Sequence, residues 1–527
     1  MEEKIKKDKV LLKCLSSLLV IVVIIIGVSF AIFQSFARQT TTNQVGTLSC
    51  FTVSFEGVTS ALNLTNEYPI TDKEGFQKDP YVFKVTNNCT QYLTLNIGVE
   101  TLSSSQIAAN LIKGVITKNG FKPESASLLS AGKVLQAQNG GTAYSLLEDG
   151  IRPNQSKTYD LRLWFDENMT KAQGASKKYQ GKVIVSATTS NPIVRNLKSS
   201  ILADNIVSSP LTGFGENSAD NEAVLATTTD DYGTSYYFRG AVTNNYVQFA
   251  NMCWRIVRVT GNGAVKLVLY NYNGLTDSNA TPTDSNPCAT AVTKYNAFAR
   301  FKGTTYYTSF NAGDSSLILP SGGAAYSDNA FVGFMYNITN GYASHENVYK
   351  STILQNLELW YKNVLSKQSA FNETKLADVV WCNDKDSQGY QQAETIYPAS
   401  ERFDKSTPSL VCGENISRFT VDDTVNGNGA LDYKIGLLTL DEAMFAGIHS
   451  SNESSKNYLY NNTNSGWWTM SPLEYYKLEP CMFAIDSLGT LVNSEEMGSG
   501  ALRPSLALTS DVMVTGEGTS DDPYVVQ

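Results

Sequence analysis

The sequence predicts a multidomain protein in which an N-terminal transmembrane helix is followed by an all-β sandwich and then by an α+β domain. Three observations predict this: a charge-free apolar segment near the start, apolar residues at every second position between about 45 and 190, and helical periodicity further on. A chain of 527 residues is also too long for one ordinary core. We therefore expect a cytoplasmic tail and signal-anchor over 1–37, a β-sandwich over 45–190, a linker with a short helix over 191–230, and an α+β domain over 231–527.

The N-terminal segment has the charge pattern of a membrane anchor. Five lysines precede or flank its start, and Cys14–Phe33 then contains no charged residue. As a helix this segment spans about 30 Å, the thickness of the bilayer core. The lysines favour a cytoplasmic N-terminus, so we expect a single-pass cell-membrane protein with extracellular C-terminal domains. The alternative is a secreted chain, because Ser35-Phe36-Ala37 resembles a signal-peptide cleavage site.

An exported location favours disulfide bonds between the cysteines that follow the apolar segment. Pairing successive cysteines gives Cys50–Cys89, Cys253–Cys288 and Cys382–Cys412, each closing a loop of roughly 30 to 40 residues. Spacing alone does not establish this connectivity. Cys481 is left over, and we expect a buried, unreactive thiol there rather than a reactive one.

Charge and histidine content argue against several classes of function. The net charge is −9, and no basic stripe follows residue 40, so we expect no nucleic-acid partner. The two histidines, His345 and His449, have no metal-ligand spacing, which argues against His-based zinc or triad chemistry. We expect no cofactor, with calcium as the one alternative.

The segment from about 45 to 190 alternates between apolar and polar residues. Apolar positions recur in Leu93–Val99, Tyr159–Phe165 and Val183–Ala187. Such runs, separated by polar turns, predict half-buried strands and together an all-β sandwich. Cys50 in the first strand and Cys89 after the PYVFKVTNN strand are placed to connect two of its strands.

The sequence TTSNP at 188–192 marks a boundary, after which IVRNLKSSILADNIV predicts a short helix. YYFRG and YVQF then predict one hairpin. WRIVRV and AVKLVLY predict a second hairpin across Thr260–Gly263, whose residues tolerate positive φ.

Two helices are predicted in the last domain. Ile353, Leu357, Trp360 and Val364 lie on one face at helical spacing. In TLDEAMFAG, Thr439 and Glu442 form a capping box, and Gly447 suits the helix end. Short strands follow around YLYN, GWWTMSP, CMFAID, GTLVN and ALRPSLAL, so the domain reads as α+β.

Residues about 45–190 carry SCFTVSF, PYVFKVTNNCTQYLTLNI and YDLRLWFDENMT. In these segments the chain resembles exported β-sandwich domains of low-GC Gram-positive bacteria that are akin to camelysin and biofilm-matrix fibre proteins. The resemblance implies an exported sandwich and, as one alternative, a matrix role. Camelysin is described as a peptidase family, but this sequence has no H-E-x-x-H motif or comparable pair.

Residues about 230–527 carry CWRIVRVTGNG, IGLLTLDEAMFAG, WWTMSP and LRPSLAL. They resemble an uncharacterised surface domain of the same bacteria. The order Trp-x-x-Ser-Pro, strand, Gly-x-x-Arg-Pro is similar to the end of C-type-lectin-like domains of the formylglycine-generating-enzyme type. That resemblance implies an α+β fold with two helices and a loop-rich face.

The catalytic and calcium-binding motifs of those relatives do not carry over. The oxidase needs a closely spaced cysteine pair, and only Cys481 lies in the final segment. The calcium motifs of lectins are echoed in part by Glu479-Pro480-Cys481 and by Trp381–Asp384, but in the wrong order. Calcium therefore remains only an alternative.

The two adjacent tryptophans are candidates for a binding site. In an extended strand, Trp467 and Trp468 point to opposite faces, so one is expected in the core and the other facing away from it. We predict a ligand site formed by one of them with Glu474, Tyr475 and Tyr476 in the following loop. We expect a structural role for Arg503, in which it bonds loop carbonyls or stacks on a ring.

These features predict a membrane-anchored extracellular surface protein with a non-catalytic, adhesin-like binding module, whose ligand is a glycan or a protein. One alternative is an exported enzyme, either a carboxylate hydrolase or an oxidase that depends on the Cys481 thiol. Another is a structural matrix or cell-wall component that assembles through the β-sandwich.

Overall fold

The computed structural model describes residues 35–38, 50–55, 62–65, 67–118, 126–272, 286–312, 328–337, 346–386, 394–449, 457–476 and 479–527. The chain divides into two compact units, Met1–Ile193 and Val194–Gln527. Both are built mainly from β-strands, which confirms the prediction of a multidomain chain rich in β-sheet.

The predicted membrane anchor, Cys14–Phe33, lies outside the described residues. No helix in the described part of the chain is long and apolar enough to cross a membrane. The first described element is the strand Ser35–Arg38, which pairs antiparallel with Ile184–Ala187. The stretch considered as a cleavage site therefore belongs to a sheet of the first unit.

The first unit is a sandwich of two antiparallel sheets. One sheet has the order β1-β11-β5-β9-β8, with β3 also pairing β11, and the other has the order β2-β4-β10-β6-β7. Its strands are β1 Ser35–Arg38, β2 Phe51–Phe55, β3 Leu62–Thr65, β4 Tyr81–Asn87, β5 Leu93–Thr101, β6 Ile112–Thr117, β7 Ser127–Leu128, β8 Val134–Leu135, β9 Thr142–Ile151, β10 Ser156–Phe165 and β11 Lys178–Thr189. The short helices are α1 Asp72–Gly75 and α2 Lys171–Gly174, with 3-10 turns at Ala109–Leu111 and Leu129–Ala131.

The alternation seen in the sequence produces the core of this sandwich. Leu95 and Ile97 of one sheet and Leu161 and Leu163 of the other are almost completely buried in the same cluster. The polar residues between them point away from it. The predicted Cys50–Cys89 disulfide is present and connects the start of β2 to the residues after β4.

The second unit is built around one large hydrophobic core. Its strands are β12 Arg195–Asn196, β13 Val207–Ser208, β14 Ala223–Asp230, β15 Gly233–Gly240, β16 Tyr246–Phe249, β17 Met252–Val259, β18 Val265–Asn271, β19 Tyr307–Thr308, β20 Met335–Tyr336, β21 Tyr349–Lys350, β22 Trp381–Cys382, β23 Glu394–Ile396, β24 Arg418–Phe419, β25 Trp467–Tyr476, β26 Glu479–Ile485, β27 Leu491–Glu495, β28 Gly500–Ala501, β29 Ser505–Leu508, β30 Met513–Thr515 and β31 Tyr524–Val526. Its helices are α3 Leu197–Ala203, α4 Thr352–Asn363, α5 Pro398–Asp404 and α6 Leu440–Phe445, with 3-10 turns at Asn329–Val332, Leu365–Lys367, Glu373–Lys375 and Asn415–Ser417.

Two larger and two small sheets form this unit. The largest has the order β12-β30-β31-β16-β17-β15-β14-β13, with β18 pairing β17 and β29. The second has the order β19-β28-β25-β26-β27, with β23 pairing β25. The small sheets are β20-β21 and β22-β24.

We predicted a linker with a short helix over 191–230, and from Val194 onward this segment is part of the second unit. The helix is present as α3, and its Leu197 and Ile201 are buried in the main core. Ala223–Asp230 forms a full strand against β15. The AVLATTT run favours a strand, and Leu197 and Ile201 form an apolar helix face, so this segment packs instead of acting as a spacer.

One predicted hairpin is confirmed and one is wrong. β17 and β18 pair around the Thr260–Ala264 turn, where Gly263 has a φ of 88°. YYFRG and YVQF do not pair with each other, because both align along β17. The tight turn at residues 231–232 pairs β15 with β14 instead.

Both predicted helices are confirmed. In α4, Ile353, Leu357 and Trp360 are buried, whereas Val364 caps the C-terminus. In α6, Thr439 and Glu442 form the capping box. The remaining predicted disulfides, Cys253–Cys288 and Cys382–Cys412, are also present.

Candidate functional site

Both adjacent tryptophans are core residues. They lie on opposite faces of β25, but Trp467 is 2% and Trp468 is 1% exposed. The Trp468 indole nitrogen donates to the Thr308 carbonyl at 2.8 Å, and its ring meets Phe310 edge-on. The prediction that one of the pair forms the edge of a ligand site is therefore wrong. β25 is an inner strand covered on both faces, so alternation leaves neither ring outside.

The Gly-x-x-Arg-Pro motif is structural. Arg503 is fully buried, donates from Nε to the Leu269 carbonyl at 2.9 Å and from Nη1 to the Leu459 carbonyl at 2.5 Å, and its guanidinium lies 4.8 Å from the Trp467 ring centre. Burial, followed by the charge of Arg255, lowers the pKa of Arg503 to about 9. These contacts with carbonyls and a ring are those expected of a structural arginine.

The other predicted site residues lie in a strand and not in a loop. β25 continues through Tyr476, and β26 begins at Glu479. Tyr475 is only 5% exposed, so its assignment as a ligand contact is corrected. Its ring lies on the inner face, where it aligns with Thr395 and Pro480, which are also buried. Glu474 and Tyr476 lie on the other face of the strand.

That other face brings carboxylates and apolar side chains together. Glu474 lies opposite Ile396 on β23 and opposite Cys481 on β26, and Cys481 lies opposite Glu495 on β27. Residues opposite one another on antiparallel strands project from the same face. Ile396 is 59% and Tyr476 is 40% exposed. We call this surface the acidic face and define it by Ile396, Glu474, Tyr476, Glu479, Cys481 and Glu495.

Among the described residues, no cation is paired with the carboxylates of the acidic face. The ion pairs formed by the described residues include none with Glu474, Glu479 or Glu495. Glu479 and Glu495 are exposed, and Glu474 is half-buried. Within the described residues, these carboxylates therefore form a negatively charged patch without ion-pair partners.

The negative charge of the acidic face affects the pKa of the Cys481 thiol. Burial raises the pKa of its thiol to about 11, and the nearby carboxylates of Glu474, Glu496, Glu495 and Glu479 add to the effect. A thiol with such a pKa stays protonated near neutral pH and is a poor nucleophile. The Cys481 side chain is half-buried, whereas the sequence predicted a buried thiol. Its electrostatics nevertheless oppose an oxidase that depends on this thiol.

Glu496 lies beneath the same surface. Its side chain is 2% exposed, and burial, with the charges of Glu495 and Glu479, raises its pKa to about 8. Its backbone carbonyl accepts the Phe310 N–H at 2.8 Å, which holds the end of β27 in place. Glu496 is therefore mostly protonated at neutral pH.

A second group of charges lies in the interior, and sequence reasoning missed it. Arg258 on β17 bonds Asp230 at 2.5 Å and Glu442 at 2.9 Å, and Lys266 on β18 bonds Glu442 at 2.6 Å. Glu442 is thus both the capping-box residue of α6 and the anion shared by two buried cations. The signal available in the sequence was the presence of Arg258 and Lys266 inside apolar strands.

Arg402 extends this group from α5. It bonds Asp441 through two nitrogens, each at 2.7 Å, and also contacts Asp384. Burial is the largest influence on Asp384 and raises its pKa to about 6, against the opposing effect of Arg402. We call these residues the buried ion cluster: Asp230, Arg258, Lys266, Asp384, Arg402, Asp441 and Glu442.

The buried ion cluster encloses little space. Its side chains and those of Cys382 and Cys412 line a cavity of about 20 Å³. That volume holds about one water molecule. Every carboxylate in the cluster has a cation partner. The arrangement is that of a structural polar core and leaves no room for a substrate.

The partial calcium motifs do not form a calcium site. The carboxylate of Asp384 contacts Arg402, and the Trp381 side chain is fully buried. Across the part of the chain that the structure describes, no three His, Cys, Asp or Glu residues group in a way that could hold a metal ion. The His449 ring stacks on Phe403, and His345 lies outside the described residues.

Comparison with known proteins assigns no relative to this chain. A scan against protein-family models gave no match, and a search of the curated proteins gave none either. The function is therefore inferred from the geometry of the acidic face.

Proposed function

We propose that this chain is a membrane-anchored surface protein whose second unit is a non-catalytic binding module, and that the acidic face of this module binds a positively charged polypeptide. The observation that carries the proposal is the combination of exposed Tyr476 and Ile396 with three carboxylates that have no cation partner among the described residues. Apolar side chains supply contact area, and unpaired carboxylates attract and select cationic partners.

The sheet edges favour a polypeptide over a neutral glycan. β23 pairs only with β25, and β27 pairs only with β26, among the described strands. Their outer backbone groups can therefore accept an extended chain as an added strand. Lysine or arginine side chains on such a chain then lie within reach of Glu474 or Glu495.

An extracellular location is supported by two features. The lysines followed by the uncharged Cys14–Phe33 segment have the pattern of a single-pass anchor with its N-terminus inside the cell. Three disulfides suit an oxidising compartment. We place both units outside the membrane on these grounds.

We also assign a C-type-lectin-like architecture to the second unit. In support, Trp468–Pro472 lies on β25, β26 and β27 follow, and Gly500–Pro504 then begins at β28. In this proposal, α4 and α6 correspond to the two helices of such a fold. The exposed surface of the β23-β25-β26-β27 sheet is then the part of the module that carries specificity.

Binding of a fluorescent oligolysine to the purified full-length chain tests the proposal. The triple variant Glu474→Gln/Glu479→Gln/Glu495→Gln removes the charges of the acidic face. A matched control, Glu401→Gln/Asp404→Asn/Glu414→Gln, removes the same number of exposed carboxylates elsewhere in the second unit. We expect about tenfold weaker binding by the first variant, since each charge pair contributes roughly 0.5 kcal/mol.

The control variant should bind nearly as well as the wild type. Equal losses in both variants would mean that only net charge matters. Stronger, salt-insensitive binding of a neutral oligosaccharide, tested in parallel, would replace the polypeptide with a glycan. Either result contradicts the proposal.

A further inference from the structure

Lys385 is a buried amine without a carboxylate partner. Its side chain is 3% exposed, and Nζ donates to the Met335 carbonyl and to Asn347 Oδ1, each at 2.6 Å. The Phe419 ring centre lies 5.7 Å from Nζ. Within the described residues, no carboxylate lies at ion-pair distance from this amine. Burying an amine without an opposite charge costs free energy, so the position of Lys385 calls for an explanation.

The Lys385 amine exchanges between its charged and neutral forms near neutral pH. Burial lowers the pKa of Lys385 to about 7, and the charge of Asp386 opposes the shift only in part. A neutral amine has a free lone pair and is nucleophilic, whereas an ammonium is not. Near neutral pH, about half of the molecules therefore carry a nucleophile next to the Asn347 carboxamide.

Both partners are fixed by their neighbours. Asn347 Nδ2 donates to the Ile416 carbonyl at 3.0 Å, which orients the carboxamide so that its oxygen faces Lys385. The Lys385 backbone N–H donates to Ser417 Oγ at 3.0 Å. The two reacting groups are thus held in contact before any reaction, which removes most of the entropic barrier to joining them.

We propose that Lys385 and Asn347 form an intramolecular amide cross-link. The Nζ lone pair attacks Cγ of Asn347, a C–N bond forms, and the Cγ–Nδ2 bond breaks. One proton moves from Nζ to Nδ2, which leaves as ammonia. A primary carboxamide and an amine thus become a secondary amide and ammonia, without an oxidant or other co-reactant.

Asp386 and Ser417 help to fix the position of Lys385. The charge of Asp386 acts on the Lys385 amine, and the Asp386 carboxylate accepts a hydrogen bond from the Ser417 hydroxyl. The same hydroxyl oxygen accepts the Lys385 backbone N–H. Ser417 thereby connects the Asp386 side chain to the Lys385 backbone.

The cross-link would connect the two small sheets of the second unit. Asn347 precedes β21, and Lys385 follows β22, three residues after Cys382 of the Cys382–Cys412 disulfide. The chain between these points would then be closed by an amide bond as well as by the nearby disulfide. Closing a loop in this way removes conformations from the unfolded chain. Unlike the disulfide, the amide withstands reduction.

The intact mass of the full-length chain, measured after disulfide reduction, tests the proposal. We expect the wild type to be lighter than its sequence by one molecule of ammonia, and the peptides containing Lys385 and Asn347 to be joined. Lys385→Met and Asn347→Ala should restore the sequence mass. Asn428→Ala is the matched control, because Asn428 Nδ2 also bonds the Ile416 carbonyl, at 3.3 Å.

Two outcomes would overturn the cross-link. The first is a wild-type chain at its full sequence mass. The second is a loss of ammonia that persists in Lys385→Met, which would indicate a succinimide at an Asn-Gly pair such as Asn262–Gly263. The wild-type measurement decides the matter even if a variant fails to fold, and neither outcome bears on the acidic face.

Discussion

The second unit contains two groups of carboxylates with opposite surroundings. In the buried ion cluster, Asp230, Asp384, Asp441 and Glu442 each contact an arginine or a lysine. On the acidic face, the exposed carboxylates have no such partner within the described residues. A charged carboxylate in the interior needs a cation partner or several hydrogen bonds, whereas a surface carboxylate costs little without a partner. Both regions contain carboxylate side chains. A carboxylate that is paired with a cation has a structural role, whereas one without a cation partner is available to a ligand.

The largest expected effect comes from unpairing the buried ion cluster. Glu442→Gln leaves Arg258 and Lys266 without the anion they share, so the free energy of unfolding should fall by about 3 to 5 kcal/mol. Denaturant unfolding measures this, and Glu479→Gln on the acidic face is the control, with an expected change of about 0.5 kcal/mol or less. If the two substitutions changed the free energy of unfolding by similar amounts, the proposed difference between the buried ion cluster and the acidic face would be wrong.

Glu496 provides a test that depends on pH. Its pKa of about 8 in the folded state lies above the ordinary value of 4.5, so the folded chain binds the proton more tightly than the unfolded chain. Its contribution to stability is present in full below pH 4.5 and is lost as the pH rises to about 8. Glu496→Gln should remove this loss, so between pH 4.5 and pH 8 the wild type should lose roughly 4 kcal/mol of stability that the variant keeps.

Unfolding of both proteins across this pH range measures the difference. Glu479→Gln, which neutralises an exposed neighbour, should leave the wild-type pH dependence nearly unchanged. A constant difference between wild type and Glu496→Gln at all pH values would show that Glu496 does not titrate in this window.

The thiol of Cys481 measures the charge of the acidic face directly. Glu474→Gln/Glu495→Gln removes two of the carboxylates that raise its pKa, so alkylation by iodoacetamide at pH 8.5 should become several-fold faster. Glu401→Gln/Glu414→Gln should leave the rate unchanged. Fast alkylation of the wild type would contradict the high pKa and reopen a thiol-dependent reaction.

The smallest change in stability is expected at Tyr476. Its side chain is 40% exposed, so Tyr476→Ala should alter the free energy of unfolding by about 0.5 kcal/mol or less while weakening oligolysine binding several-fold. Tyr475→Ala, at the buried neighbour, should instead cost about 3 kcal/mol. Calorimetry and oligolysine binding, measured on both variants, would show whether side-chain exposure decides which of these two adjacent tyrosines contributes to binding.

The sequence predicts those features that depend on neighbours along the chain. The alternation in Leu93–Val99 predicts a sandwich strand, and the Thr439–Glu442 capping box predicts the start of α6. Pairing each cysteine with the next one along the chain predicts the three disulfides, and the structure confirms that connectivity. In each case the interaction that decides the outcome is local or follows chain order.

Features that depend on distant contacts were not predicted. Alternation places Trp467 and Trp468 on opposite faces, but it does not tell whether other elements cover both faces of that strand. The ion pairs of Glu442 with Arg258 and Lys266 depend on how α6 packs against β17 and β18. The acidic face depends on the alignment of β23, β25, β26 and β27, which no short motif specifies.

The salt dependence of oligolysine binding tests the central claim most directly. Between about 50 and 500 mM NaCl, the affinity of the full-length wild type should fall steeply, because salt screens its contacts with the acidic face. The affinity of Glu474→Gln/Glu479→Gln/Glu495→Gln should be low and nearly independent of salt. An unchanged salt dependence in that variant would contradict the assignment of the acidic face as the binding surface.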